Sequence, residues 1–239
     1  MIETLRETGS TNADLAARLA GGGAVPEGFW LVSDRQRAGK GRQGRDWFDG
    51  AGNFMGSTVV QCRAGDPPAA TLSLVAGLAV HEVIAARLPP PHRAMLKWPN
   101  DVMIGAAKLC GILLERVGDV VIAGIGANLA QAPDLPDRQT VALTAFTPAP
   151  DRDLFAADLA RQFGVDLERW RTYGLASVVT RWQAAGHPAG TPLSVGEPGQ
   201  APLLGTFAGL ADDGALQLRL ADGTCRAIHA GDVHLTQPN

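Results

Sequence analysis

Two well-separated segments carry residue types that could do chemistry together. The stretch Gly39-Lys40-Gly41-Arg42-Gln43-Gly44-Arg45-Asp46-Trp47 sets three cations on a frame of three glycines, and Arg35 and Arg37 just before it raise the local count to five. Further on, Lys97-Trp98-Pro99-Asn100-Asp101, followed by Lys108, adds two lysines, a carboxamide and a carboxylate. Glycine lets a backbone wrap closely around a ligand, and a nest of N–H groups among cations holds a multiply charged anion. Lys108 opens an otherwise apolar strand, so it must either reach solvent or meet a negative partner. A cationic loop, a carboxylate at a turn and a semi-buried lysine suit the activation of one anion by another.

Taken alone, a basic run is an ordinary solvated turn. Three features argue otherwise here: alternate glycines cost conformational entropy, so the loop is expected to be mobile when empty and to order around a ligand; Trp47 supplies an amphipathic ring to close over an apolar group; and the second cluster exists. Gly39 to Gly44 formally fit GxGxxG, but no helix follows, and no GxxxxGK[ST] is present, so neither a dinucleotide fingerprint nor a P-loop is expected. A third stretch, Ser10-Thr11-Asn12, precedes a helical apolar pattern, with Asp14 three residues after Thr11 as in a capping box and Gly21 to Gly23 ending the helix. The same hydroxyls and N–H groups could hold a polar ligand group, and the two readings stay open.

The elements that must position these residues follow from periodicity. "GFWLVSDRQ" reads as a strand entering the basic loop and "NFMGSTVVQC" as one leaving it. Pro67 and Pro68 precede a long core helix with Leu72, Val75, Ala79, Val83 and Ile84 on its buried face. "AMLKWPNDVMI", "KLCGILLERV" and "DVVIAGIGANL" form a consecutive antiparallel run, with Pro99 forcing a turn that holds Asn100 and Asp101. Two helical stretches follow, "DRDLFAADLARQFGVDLERW" and "LASVVTRWQAA". Beyond "AGHPAGTP" the chain reads as short strands with Asp-Gly turns, "LLGTFAGLA", "GALQLRLA" and "TCRAIHAG". The expected organisation is an α+β domain over 1–187 and a small β domain over 188–239.

With 46% apolar and 19% charged residues the chain has the composition of a globular protein rather than a disordered one. No apolar run is long enough to span a membrane, and no secretory signal opens the sequence, so a cytoplasmic location is expected. Cys62, Cys110 and Cys225 form no CxxC pair, and five histidines show no HExxH spacing, which argues against disulfides and a permanently held metal. A net charge of −3 disfavours a nucleic-acid binder driven by counterion release.

"GSTN" (Gly9 to Asn12), "QRAGKGRQGRDW" (Gln36 to Trp47), "KWPND" (Lys97 to Asp101), "KLCGILLE" (Lys108 to Glu115), "GIGANL" (Gly124 to Leu129) and the terminal "AGDVHL" occur in one order over nearly the whole chain. In this the sequence resembles the biotin–protein ligase family. The resemblance implies a biotin/lipoate ligase catalytic domain, class II synthetase-like, with a mixed, largely antiparallel sheet flanked by helices, and a C-terminal SH3-like β-barrel. It implies an enzyme that joins biotin and ATP into biotinyl-5′-AMP with Mg²⁺, then transfers biotin to a lysine of the biotin carboxyl carrier protein of a carboxylase.

Carried over residue by residue, the resemblance gives Ser10, Thr11, Asn12 and Gln36 the biotin head group. Gly39, Lys40, Gly41, Arg42 and Arg45 fold over the adenylate and phosphates. Lys108 reaches the acyl and α-phosphate oxygens, with Gly111 beside it; Asn100 and Asp101 serve the metal or the incoming amine, Asp101 as base; Trp47 and Asn128 flank the adenine. Lys40 stands where the family has arginine, Cys110 replaces a smaller residue, and Ala130 stands where a second asparagine often follows Asn128. With so few residues before "STN", no DNA-binding domain is expected; a homodimer is compatible with the resemblance. The rival readings are a lipoate or octanoyl ligase and a non-catalytic biotin-sensing module.

Overall fold

The computed structural model describes residues 1–196 and 201–236. Seven strands form the main sheet: β1 (Ile2–Leu5), β2 (Trp30–Ser33), β3 (Phe54–Gln61), β4 (Ala94–Lys97), β5 (Asp101–Ile104), β6 (Ala107–Val117) and β7 (Val120–Ala127), in the order β1-β2-β3-β7-β6-β5-β4. Only β1 and β2 run parallel. The consecutive run β4 to β7 is the antiparallel meander expected from its short turns. Two of these turns use glycine with positive φ, Gly105 at 59° and Gly118 at 58°, a conformation that tight hairpins require. Strand β1 carries no sequence signal of its own; it is a short, half-exposed edge that pairs with β2.

The alternation of a strand divides the sheet into two working faces. Val121, Ala123, Ile125 and Ala127 of β7, with Ile112 of β6 and Phe54 of β3, join the core under helix α2 (Leu72–Ala85). Helix α3 (Arg152–Ala185) packs on α2 and completes this core. Ile122 and Val59 point to the opposite face, where Leu15 of helix α1 (Thr11–Ala20), Phe29 and Leu31 form a smaller cluster. On that same face β6 and β7 carry Gly111, Gly124 and Gly126 instead of apolar side chains. A shallow bay is thereby opened beside α1.

The two helical stretches read near the C-terminal half are segments of α3 divided at Gly174, whose φ of 71° and ψ of −175° no helix accommodates. The buried Asp166 accepts from Arg181 at 2.7 Å across this break and from Arg169 at 3.3 Å, and Arg181 also pairs with Glu82 of α2.

A second, five-stranded antiparallel sheet begins at Pro192. It consists of β8 (Pro192–Gly196), β9 (Leu203–Leu210), β10 (Leu216–Arg219), β11 (Cys225–Ile228) and β12 (Asp232–Leu235), in the order β11-β10-β9-β8-β12. The arrangement is SH3-like, with β11 and β12 as its edges rather than a closed seam among the described residues. Its Leu193, Phe207, Leu218 and Val233 share one apolar core with the helices, and Trp98 Nε1 donates to Gly214 O at 3.0 Å. The small unit is therefore packed against the large one, not strung beside it.

Leu15 is fully buried and seats α1 on the sheet. Leu15→Ala is expected to cost about 2–5 kcal/mol in urea denaturation; a loss well under 1 kcal/mol would mean that other contacts hold this helix.

Candidate active site

The bay on the α1 face opens into a cleft of about 860 Å³, walled by the start of α1, the basic loop, strands β5 to β7, a loop near residues 133–140 and strand β12. Of the residues singled out from sequence, Ser10, Thr11, Asn12, Gln36, Lys40, Gly41, Arg42, Arg45, Trp47, Asn100, Asp101, Lys108, Gly111 and Asn128 all line it. Gly39 stands behind the surface, where a Cβ would press on Gln36 Nε2 at 3.1 Å.

At the closed end, the helix cap and the polar cluster are separate things. The N-cap is Ser10, which accepts from Ala13 N at 3.5 Å, while Asp14 accepts from Thr8 Oγ1 rather than closing a capping box on Thr11. Thr11 and Asn12 are thus free to turn inward. Gln36 Oε1 accepts from Thr11 N at 2.7 Å and lies 3.0 Å from Thr11 Oγ1; Thr11 Oγ1 and Ser57 Oγ are 2.6 Å apart. Ser57 Oγ donates to Asn12 Oδ1 at 2.6 Å, and Asn12 Nδ2 donates to Glu115 Oε2 at 2.5 Å. Two hydroxyl protons serve three oxygen–oxygen contacts here, so acceptor lone pairs stay open to an incoming N–H. Ser57 and Glu115 escaped the sequence reading, because a lone serine or glutamate in a strand gives no local sign of a partner on a distant helix.

Glycine makes room for this cluster. A Cβ on Gly124 would collide with the Asn12 carboxamide, and one on Gly126 with the Trp47 indole. Gly111 faces Gly126 in register, and its Cβ would lie 2.9 Å from both Lys108 Nζ and Trp47 Cζ3. The indole therefore rests on bare backbone. Lys108 Nζ sits 5.6 Å from the indole ring centroid, within cation–π range. Asn128 Nδ2 donates to Val141 O at 3.3 Å, leaving the buried Oδ1 without a partner among the described residues.

The basic loop follows a defined path in the structure. It folds back as a narrow hairpin, with Trp47 N donating to Gly39 O at 2.9 Å and Gly41 N to Arg45 O at 2.6 Å. Its tip docks on the second sheet: Arg42 donates to Gly231 O at 3.0 Å and to Asn100 Oδ1 at 3.4 Å, and Arg45 pairs with Asp232 at 3.1 Å. The carboxylate that anchors it comes from the other end of the chain, which loop composition does not reveal. Arg35 and Arg37 take no part in the cleft; they pair with Asp49 and Glu7. Lys40 is held at 2.6 Å by Asp46, an exposed pair of small worth.

Lys108 meets the negative partner it requires. Its Nζ lies 2.6 Å from Asp101 Oδ1, Lys97 Nζ lies 2.9 Å from Oδ2, and Lys97 also donates to Val233 O of β12 at 2.8 Å. Burial pushes the Asp101 carboxyl up, but the two ammonium groups outweigh it and bring the pKa down to about 2. A carboxylate held so acidic takes up protons poorly. As the site stands, both Asp101 oxygens are engaged in fixing Lys108 and Lys97, and the role as base expected from sequence requires one of them to be freed.

The profile of the Biotin/lipoate A/B protein ligase family matches residues 16–129, and that of the Biotin protein ligase C terminal domain matches residues 195–235. A biotin--[acetyl-CoA-carboxylase] ligase of Paracoccus denitrificans is 38% identical over 96% of this chain and 98% of its own length. One from Mycobacterium tuberculosis is 35% identical, over 97% of this chain and 88% of its own. Among solved structures, the biotin protein ligase of Aquifex aeolicus in complex with biotin and ATP superposes with a TM-score of 0.84, at 24% identity over 98% of this chain and 99% of that one, a likeness of fold. The chain belongs to the biotin protein ligase family.

Because the folded-state pKa of Asp101 lies below its unfolded value, its contribution to stability is complete above about pH 4 and is lost as pH falls toward 2. The stability gap between the native protein and Asp101→Asn is expected to shrink by about 2 kcal/mol across that window. A gap that stays constant in pH-resolved denaturation would contradict the ion-pair account.

Proposed function

We propose that the protein is an ATP-dependent biotin–protein ligase. It joins the carboxylate of biotin to the α-phosphate of ATP, releasing pyrophosphate, and passes the biotinyl group from biotinyl-5′-AMP to a lysine of the carrier domain of a biotin-dependent carboxylase. The observation that carries this reading is a single cleft with a neutral polar pocket at one end, a cationic mouth at the other, and Lys108 between them. Relatives covering nearly the whole chain that bear the name biotin--[acetyl-CoA-carboxylase] ligase support it.

Each end suits one part of the reactants. The open acceptors of Thr11, Asn12 and Ser57, with Gln36 and Ser10 beside them, suit the N–H groups of the biotin ring, and the glycine floor suits its apolar body. Arg42, Arg45 and Lys40 face the phosphates, and Trp47 and Asn128 face the adenine, to which Asn128 offers its free oxygen. Lys108 bridges the two, where a carboxylate must approach a triphosphate against charge repulsion. A fixed ammonium there stabilises charge developing on the acyl and phosphoryl oxygens. In the second step the carrier amine bonds to the acyl carbon, the bond to the phosphate oxygen breaks, AMP leaves, and the amine proton passes to solvent.

Among the described residues no three metal-ligating side chains converge. The carboxylate of Asp101 and the carboxamide oxygen of Asn100 suit a Mg²⁺ that enters on the ATP phosphates, and these two residues would hold it by exchanging their present bonds to Lys97, Lys108 and Arg42. Such an ion supplies neutralisation of phosphate charge. A cytoplasmic site of action fits three free cysteines, and no described helix is long and apolar enough to cross a membrane.

Purified protein incubated with ATP, Mg²⁺, a carrier domain and either biotin, lipoate or octanoate is expected to add only the biotinyl mass to the carrier. A lipoyl or octanoyl adduct, or none, would overturn the reading. Lys108→Ala is expected to lower biotin-dependent pyrophosphate release about 100- to 1,000-fold, with the fold retained by circular dichroism; unchanged release would remove Lys108 from the chemistry. Arg42→Gly severs the loop from Gly231 and is expected to release more free adenylate per carrier labelled. An unchanged ratio would show that the loop does not retain the intermediate.

A further inference from the structure

Across the cleft from the basic loop runs the segment from Pro133 to Thr140. It is pinned beside β6: Lys108 N donates to Gln139 O at 2.9 Å, Val141 N donates to Lys108 O at 3.0 Å, and Leu135 bridges to Arg138 across a tight turn. Arg138 thus stands on a backbone tied directly to that of Lys108. Its side chain is 28% exposed and lines the cleft. The neighbouring Asp137 is 56% exposed and holds the guanidinium through contacts from Nε at 3.2 and 3.1 Å and a third from Nη2.

Charge accounting gives this residue a task. The described cleft lining holds six cations, Lys40, Arg42, Arg45, Lys97, Lys108 and Arg138, and four carboxylates. Each cation is matched: Lys40 with Asp46, Arg42 and Arg45 with Asp232, Lys97 and Lys108 with Asp101, Arg138 with Asp137. Even with one Mg²⁺ on the phosphates, the surplus of two positive charges is less than the net charge of a nucleoside triphosphate and a carboxylate together, which favours cations that can trade a carboxylate for phosphate. The Arg138–Asp137 pair is suited to that trade. Its partners are adjacent in sequence, its carboxylate is largely in water, and such pairs are weak, whereas a planar guanidinium grips phosphate through two parallel donors.

The bond to Asp137 is the first cause holding the Arg138 pKa above its ordinary value, burial opposes it, and the fields of Asp137, Asp101 and Asp232 add to the rise. Arg138 lines the same cleft as Asp101 and Asp232, the partners of Lys108 and Arg42.

We infer that Arg138 grips the polyphosphate of ATP from the wall opposite the basic loop, and that Asp137 is the counter-ion it exchanges on nucleotide binding. This rests on the ligase reading and adds to it a phosphate contact from a separate segment. The test is steady-state pyrophosphate release with ATP and biotin varied in turn, together with equilibrium binding of inorganic tripolyphosphate. Arg138→Gln is expected to raise the ATP KM and the tripolyphosphate dissociation constant by about 10- to 100-fold, with the biotin KM changed by less than about twofold. Arg138→Lys should restore part of the loss. Asp137→Asn should act in the opposite direction and tighten both, which a merely structural pair would not do.

Unchanged tripolyphosphate binding in Arg138→Gln, or a shift of the same sign in both single variants, overturns the inference. So does a raised KM for the carrier domain with the ATP KM unmoved, which would assign Arg138 to protein docking. Absence of pyrophosphate release in the native protein would sink the ligase reading instead, while tripolyphosphate binding would still decide the role of Arg138.

Discussion

One buried carboxylate, shared by two ammonium groups, organises the reactive end of this molecule. Asp101 binds Lys108 and Lys97 at once, and Lys97 reaches on to the backbone of Val233. Three strands of the large sheet and one of the small sheet thus converge on a single charge. Removing the carboxylate would strand two desolvated ammonium groups close together, a far larger cost than the net worth of the intact arrangement. Lys108 is held and aimed as a result, which is what electrostatic stabilisation of a reacting anion requires.

The opposite constraint is the absence of side chains. Gly111, Gly124 and Gly126 occupy positions where strand alternation would otherwise project apolar groups toward α1. Without those groups the Asn12 carboxamide and the Trp47 indole descend onto backbone, and a polar pocket forms within an apolar sheet. The C-terminal sheet closes the same space from above. Its Asp232 and Gly231 receive the guanidinium groups of the basic loop, so the smaller unit contributes to the cleft mouth and not only to the core.

What could be read beforehand was what local chemistry controls. The meander β4 to β7 and the break of α3 near Gly174 follow from periodicity and glycine, and the pairing of Lys108 with a carboxylate follows from the demand of a semi-buried lysine for a partner; the juxtaposition of the basic loop with Lys108 was implied by the family resemblance. Long-range choices were not legible. Whether Ser10 or Thr11 caps α1 depends on Gln36 and Ser57 drawing Thr11 inward, and neither lies near it in sequence. Five basic residues look equivalent along the chain, yet Glu7 and Asp49 draw two of them away from the cleft. Strand β12 showed itself only as a motif, because four residues with one buried apolar position make no strand pattern.

In the proposed reaction, cations from both walls close over a mixed anhydride lying on the glycine floor. Hydrogen–deuterium exchange of the native protein, alone and with biotin plus ATP, tests this most directly. Slowed exchange confined to the Gly39–Trp47 hairpin, the 133–140 segment and the first turn of α1 is the predicted result. Protection elsewhere, with these three segments exchanging as before, would contradict it.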